Sequence, residues 1–278
     1  MTLIRPDVPR VRFASPPLAL VLCQVQFEPI LRISDPAFIA QFQDAVRTEY
    51  PSVGRVGGVE LAFGSEGLKA EPTTSGAWSF GSSDGQWQLV LAPEALTLQS
   101  PKHESYELLR DRFIAVLRAF VELVEPGART RLGLRYVNRI AFDDAHSVAR
   151  WRELVRPELL GLAGTSELAE DDAIRHAFGQ VRFVQDESQM FVRYGFMESG
   201  MAHHPDVGIS ETPYFLLDLD HFDVRRMTSI DIEQIAAELD AFHDDIHRVF
   251  RWAISAEAAE RFGVEELRPV EVAAEVSK

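Results

Sequence analysis

Cysteine is almost absent: Cys23 is the only one in 278 residues. No disulfide framework and no cysteine-based zinc site can be built from one thiol within one chain. A lone thiol inside the apolar run 18–23 fits a reducing compartment. Long hydrophobic runs are missing as well, since no stretch approaches the roughly 20 apolar residues that a membrane span needs. Residues 1–10 carry Pro6, Pro9, acid and base but no apolar core, which predicts no secretory signal. Together these absences predict a cytoplasmic protein that does not enter a membrane. Cations are short too: 28 Lys and Arg face 43 Asp and Glu, a net charge of −15. Such a chain binds nucleic acid or anionic lipid poorly without a local basic patch, because cationic contacts to phosphate dominate that affinity. Finally, the sequence has no phosphate-loop fingerprint, no Gly-x-Ser-x-Gly elbow, no zinc-protease helix and no kinase set. It predicts no catalytic residues and no cofactor.

What is present is ordinary globular material, 46% hydrophobic and 26% charged. The length suits two domains or one fused double unit. The chain opens with a proline-punctuated lead-in, then an apolar strand over 18–27 whose Gln24 and Gln26 alternate with Cys23, Val25 and Phe27. Asp35-Pro36 places a helix cap and a first-turn proline, and Phe38, Ile39, Phe42 and Val46 follow at helical spacing. The stretch 52–76 is rich in Gly, Ser, Thr and Pro and predicts two short strands, over 59–63 and 68–70. Asp84-Gly85 between Trp78-Ser79-Phe80 and Trp87-Gln88-Leu89 is a strong hairpin signal. A long helix over 104–124 carries the stripe Tyr106, Leu109, Phe113, Phe120, and Pro126-Gly127 stops it.

The order then repeats. A strand over 129–142 is followed by a helix with Val148, Trp151, Val155 and Leu159 on one side. Strands are predicted at 177–184, 190–197 and 214–222, then a long helix over 230–254. Two units of β-α-(β-rich)-α, 1–127 and 128–278, are the predicted organisation, fused in one body. The fold class is α+β, a largely antiparallel sheet with the two long one-sided helices on one face. That order is similar to TATA-binding-protein-like and helix-grip folds, an analogy of fold that carries no function.

The strand Arg131-Leu132-Gly133-Leu134-Arg135-Tyr136-Val137-Asn138-Arg139-Ile140, taken with Phe242-His243, Phe250 and Ile254-Ser255, resembles a sporadically distributed family of uncharacterised bacterial proteins. The resemblance runs over nearly the whole chain. It implies no activity, cofactor or substrate; sporadic distribution implies an accessory role of antitoxin, immunity or defence type.

The same strand holds the candidate site. Alternation puts Arg131, Gly133, Arg135 and Arg139 on one face, successive arginines about 13 Å apart. Gly133 leaves room for a close approach. Arg182, Arg193, Asp218 and Asp220 lie on neighbouring strands. The row grips a carboxylate or phosphate or is consumed by cross-strand ion pairs; the pairing alternative carries more weight. Asn138 on the apolar face predicts a structural hydrogen bond to backbone or to His243, itself a core histidine in the helix stripe. His243 and His247, four apart, have metal-ligand spacing but lack the acid of a protease helix. His203-His204-Pro205-Asp206 with Asp218, Asp220 and His221 is a weaker metal candidate, and Cys23 lacks a nearby histidine. The residues therefore predict a binding module for a macromolecular partner, with a homodimer compatible and nucleic acid disfavoured. The alternative is a binder or enzyme for a small anionic ligand on the arginine face or in a sheet–helix cavity.

Overall fold

The computed structural model describes residues 3–4, 8–9, 11–64, 67–102, 104–165, 167, 170, 173–203 and 207–266, with backbone alone for 57–75. In chain order the elements are β1 (Val11–Phe13), β2 (Leu18–Phe27), α1 (Pro36–Val46), β3 (Ser52–Gly64), β4 (Gly67–Gly81), β5 (Gln88–Ala92), β6 (Ala95–Ser100) and α2 (Tyr106–Val124). They continue as β7 (Arg129–Ile140), α3 (Val148–Leu154), β8 (Ala177–Gln185), β9 (Ser188–Met197), β10 (Tyr214–Asp223), α4 (Ile232–Ala253), α5 (Ala256–Arg261) and β11 (Val264–Glu266). Hydrogen bonding links nine strands in the order β3-β4-β5-β6-β2-β7-β10-β9-β8, open at β3 and β8, and β1 pairs with β11 separately. Within these nine strands, β2 to β6 set the first beside the last, and so do β7 to β10. Backbone bonds from Glu28 N to Ala128 O and from Arg139 N to Pro17 O, at opposite ends, make β2 and β7 antiparallel.

Two compact units are present, each discontinuous in sequence. One holds 1–20, 135–221 and 240–278; the other holds 21–134 and 222–239. The division falls within β2, β7, β10 and α4, whereas the boundary read from the repeat falls between α2 and β7.

In the unit of 21–134 and 222–239, β2 pairs with β6 so that Gln24 faces Thr97 while Cys23 faces Leu98 and Val25 faces Leu96. The apolar set lies under α2: Phe27 meets Phe120 with ring centroids 4.9 Å apart, and Phe42 of α1 meets Phe80 at 5.5 Å. Helix α2 forms because Ser105 accepts a hydrogen bond from Leu108 N, a capping contact that satisfies one free amide. Its buried stripe runs from Tyr106 through Leu109, Phe113 and Leu117 to Phe120. The stretch expected to hold two short strands is instead the long hairpin β3–β4, paired from Ser52–Gly81 to Gly64–Gly67. Cross-strand pairing there overrides weak local β-propensity.

In the other unit, Trp151 of α3 is fully buried against Phe215 and Phe196. Helix α3 ends at Leu154, shorter than the stripe to Leu159 predicted, because Pro157 starts a 3-10 turn in its place. The α4 residues Phe242 and His243 lie against His221 of β10 and Tyr136 of β7. In each unit the long helix covers the sheet face turned away from the arginines. The TATA-binding-protein-like and helix-grip analogies remain analogies; what is present is an open α+β fold with a large antiparallel sheet.

Candidate functional site

The centre of the arginine face is a carboxylate. Asp218 of β10 is fully buried, and three cationic or proton-bearing groups converge on it. Arg135 from β7 donates Nε–H to Oδ1 and Nη2–H to Oδ2, both at 2.8 Å. Arg193 from β9 donates to Oδ2 at 3.1 Å, and His203 Nε2 lies 2.8 Å from the same oxygen. Burial alone pushes the Asp218 carboxyl up, but the bonds from His203 and Arg135 outweigh it and hold the group well below the ordinary carboxylate range. Burial likewise lowers Arg135, and the bond to Asp218 more than reverses that. A fork-to-fork pair of this kind fixes both partners in one geometry.

The other arginines of the row also have partners. Arg139 donates to the carbonyls of Val207 and Gly208, at 2.6 and 2.8 Å, and lies over the Tyr214 ring. Arg131 donates to Gln24 Oε1 at 3.0 Å and lies over Phe222. The space above Gly133 is filled by Arg131 itself: a Cβ there would sit 2.6 Å from its Nη1. Arg182 donates Nε–H to Gln189 Oε1 at 3.0 Å, and Arg193 lies over Phe191 while also donating to Gln180. Of the alternatives open in the sequence, cross-strand pairing describes Arg135 and Arg193 directly. Asp220 carries interactions of its own and contributes to the charge around Arg135.

Asn138 donates to Leu217 O at 3.0 Å rather than to His243, so it is a buried bridge between β7 and β10. His243 is half-buried between Tyr136 and His247. Among the described residues no cluster of His, Cys, Asp and Glu has the makings of a metal site; His204, Pro205 and Asp206 lie outside them. Burial pushes the Cys23 thiol far up, away from a reactive thiolate.

Sequence reasoning missed a second polar pair. Asp245 is 2% exposed and its Oδ2 lies 3.8 Å from Nδ1 of buried His221. The signal was available: residue 245 stands three after Phe242 and four before Val249, inside the buried stripe of α4. Leu3 N donates to the Asp245 carboxylate at 3.1 Å, and Arg248 donates at 3.1 Å. His221 Nε2 meets Ser188 Oγ at 3.0 Å and its ring meets Phe242. Burial holds His221 neutral, its pKa pushed down to about 4, against a backbone hydrogen bond at Phe242 that favours the imidazolium. Burial pushes the Asp245 carboxyl up.

That pair gives a pH prediction. Unfolded histidine takes up its proton near pH 6.5, whereas folded His221 waits until about 4. Its stabilising contribution is therefore complete above pH 6.5, declines as pH falls through that window, and levels off below pH 4. The ceiling is roughly 3 kcal/mol. Urea midpoints followed from pH 7.5 to 4, at the steps an unfolding titration allows, should fall more steeply for the wild type than for His221→Phe. Parallel curves would show that His221 does not titrate with unfolding.

A cleft between His146, Ser147, Ile174, Arg175, Phe196 and Pro213 has a volume of about 160 Å³. That is below the roughly 300 Å³ at which small-molecule pockets begin. No helix of the described residues is long and apolar enough to cross a membrane. A scan against protein-family models matches no family, and a search of curated proteins matches none.

Proposed function

We propose that this protein is a non-catalytic binding module for a macromolecular partner, and that the partner docks at the β8–β9 end of the sheet. The observation that carries this reading is the exposure of β8. Of nine exposed large hydrophobic residues among those described, four lie on this one strand: Phe178, Val181, Phe183 and Val184. Clustered apolar exposure marks an interaction surface, whereas scattered exposure does not. On the arginine face this strand adds Phe178, packed on His203, and Arg182, beside Phe191 of β9. Rigid aromatic and arginine side chains are the usual anchors of protein interfaces.

The ion pairs weigh against the small-anion alternative. A phosphate at Arg135 would have to displace a buried carboxylate held by two arginines and a histidine. An accessory role of antitoxin, immunity or defence type follows only from the family resemblance of the strand 131–140 and the helix 242–255, and belongs to the same proposal.

The test is capture from an extract of the native host with tagged wild type and tagged Phe178→Asp. Phe178 is 48% exposed, so the variant should keep its fold, checked by circular dichroism. A partner held by the wild type at stoichiometric level and lost at least ten-fold from the variant is the expected result. Equal capture by both moves the docking surface away from β8.

A further inference from the structure

Strand β8 ends the order of the sheet, so one row of its backbone amides and carbonyls faces outward. Edge strands are ordinarily blunted with lysine, proline, bulges or inward charge. Strand β8 reads Ala-Phe-Gly-Gln-Val-Arg-Phe-Val-Gln, has neither lysine nor proline, and pairs with β9 in unbroken register from Ala177–Phe196 to Gln185–Ser188. It is a long, regular, apolar edge.

We infer that β8 is a homodimer interface, on which a second copy of β8 pairs antiparallel about Val181 and joins the two sheets. The inference rests on reading β8 as the docking surface, and three features of the strand point to the second copy as occupant.

The first is backbone phase. Gln185 and Ser188 close a two-residue turn, so their backbone groups point at each other. Every second residue back from Gln185 does the same, which turns the backbones of Phe178, Gln180, Arg182 and Val184 to the free edge. Pairing about Val181 sets Phe178 against Val184 and Gln180 against Arg182. Only even-numbered residues then exchange hydrogen bonds, as the free edge requires.

The second is charge. Arg175 and His176 precede β8, and Asp186 and Glu187 follow it; all four are exposed. Among the described residues, Arg175, Asp186 and Glu187 form no ion pair. In the register centred on Val181, the basic pair Arg175-His176 ahead of β8 comes to the end of the ladder where the second copy turns through Asp186-Glu187, and the two-fold axis repeats this at the other end. Shifting the register by two residues loses these matches. A two-fold contact must be self-complementary, and a strand basic at one end and acidic at the other is so only when antiparallel. This local match answers the repulsion between two chains of charge −15.

The third is side-chain fit. Phe183 falls opposite Gly179, over which the Tyr194 ring already lies, since a Cβ there would be 2.8 Å from that ring. The incoming phenyl ring therefore meets an aromatic surface with no side chain in its way. Phe178 and Val184, both exposed, cover each other on the opposite face.

Analytical ultracentrifugation of the full chain across a concentration series tests the inference. Wild type should show a monomer–dimer equilibrium. Arg175→Glu and Glu187→Arg should each weaken it by roughly ten-fold or more, because each places like charges at both ends. The double variant Arg175→Glu/Glu187→Arg should return to within about three-fold of wild type, because both pairs are then restored with reversed sign. Val184→Lys, at a side chain 55% exposed, should be monomeric with an unchanged thermal midpoint. A wild type that stays monomeric at every concentration, or a double variant no better than the singles, overturns the interface. A monomeric wild type whose captured host partner is still lost from Phe178→Asp overturns the homodimer and leaves the docking surface standing. A dimer with the predicted charge rescue and no effect of Phe178→Asp on capture does the reverse for the host partner.

Discussion

Asp218→Ala is expected to destabilise the protein by about 3–5 kcal/mol, the cost of removing one partner from a buried ion pair. The substitution deletes the carboxylate that Arg135 and Arg193 share, their side chains being 17% and 21% exposed, and strands His203 beside them. Two cations converging on an empty position would keep only partial access to water. The loss should be visible as a lower urea midpoint at neutral pH. It should shrink in acid, with the sign set by the depressed carboxyl: folded Asp218 protonates at lower pH than an unfolded aspartate near 3.9. Its contribution is therefore full above that value and is lost as pH falls below it. A companion variant separates charge from packing. Asp218→Leu combined with Arg135→Met removes the bidentate pair together and should recover much of the stability, since apolar replacements of buried pairs are often neutral. Arg193 remains in that background and limits the recovery. A single Asp218→Ala cost under about 1 kcal/mol would mean that the cluster behaves like a surface pair.

Gly195→Ala is expected to detach β8 from β9. Gly195 has a φ of 157° and faces Phe178 across the ladder. A Cβ on it would lie 1.9 Å from the carbonyl oxygen of Ala177, and that atom is backbone, with no rotamer to move aside. Relief requires the start of β8 to shift away, breaking the ladder at that end. The cost should be on the order of 3 kcal/mol or more, in the range of severe backbone conflicts. Hydrogen exchange supplies the specific readout: amides of β8 that bond to β9 should lose protection while those of β2 and β6 keep theirs. The same variant should abolish pairing through β8, because the edge it would present is no longer held straight. Unchanged protection in β8 would mean that the strand accommodates the methyl group, and the rigid-edge account would fail with it.

Much of this architecture is legible without coordinates. The strand read over 18–27 is β2 to the residue, and the helices read over 104–124 and 230–254 become Tyr106–Val124 and Ile232–Ala253. The Asp35 cap is present, its Oδ1 accepting from Ala37 N at 2.9 Å. These elements are set by local physics: one apolar stripe of helical period, one alternating strand, one side chain able to satisfy a free amide. The same alternation put Arg131, Arg135 and Arg139 on the face away from the helices.

Three features depended on partners distant in sequence. The hairpin of β3 and β4 is long although its composition is poor in strand formers, because each strand completes the other's hydrogen bonds. The buried pair of His221 and Asp245 needed β10 beneath α4, and only that packing makes a histidine and a carboxylate stay in the interior. The fate of the arginines needed the strand order. With β7, β10 and β9 adjacent, Asp218 comes between Arg135 and Arg193 and takes both. The sequence by itself therefore determined which residues carry charge on that face and which elements hold them. The tertiary structure alone decided that Arg135 and Arg193 are neutralised by a shared carboxylate, and it left β8, with its exposed phenylalanines and valines, at the open edge of the sheet. The physical reason is that a strand's side-chain direction is fixed by its own backbone, whereas its neighbour, and so its charge partner or its lack of one, is fixed by the chain's return.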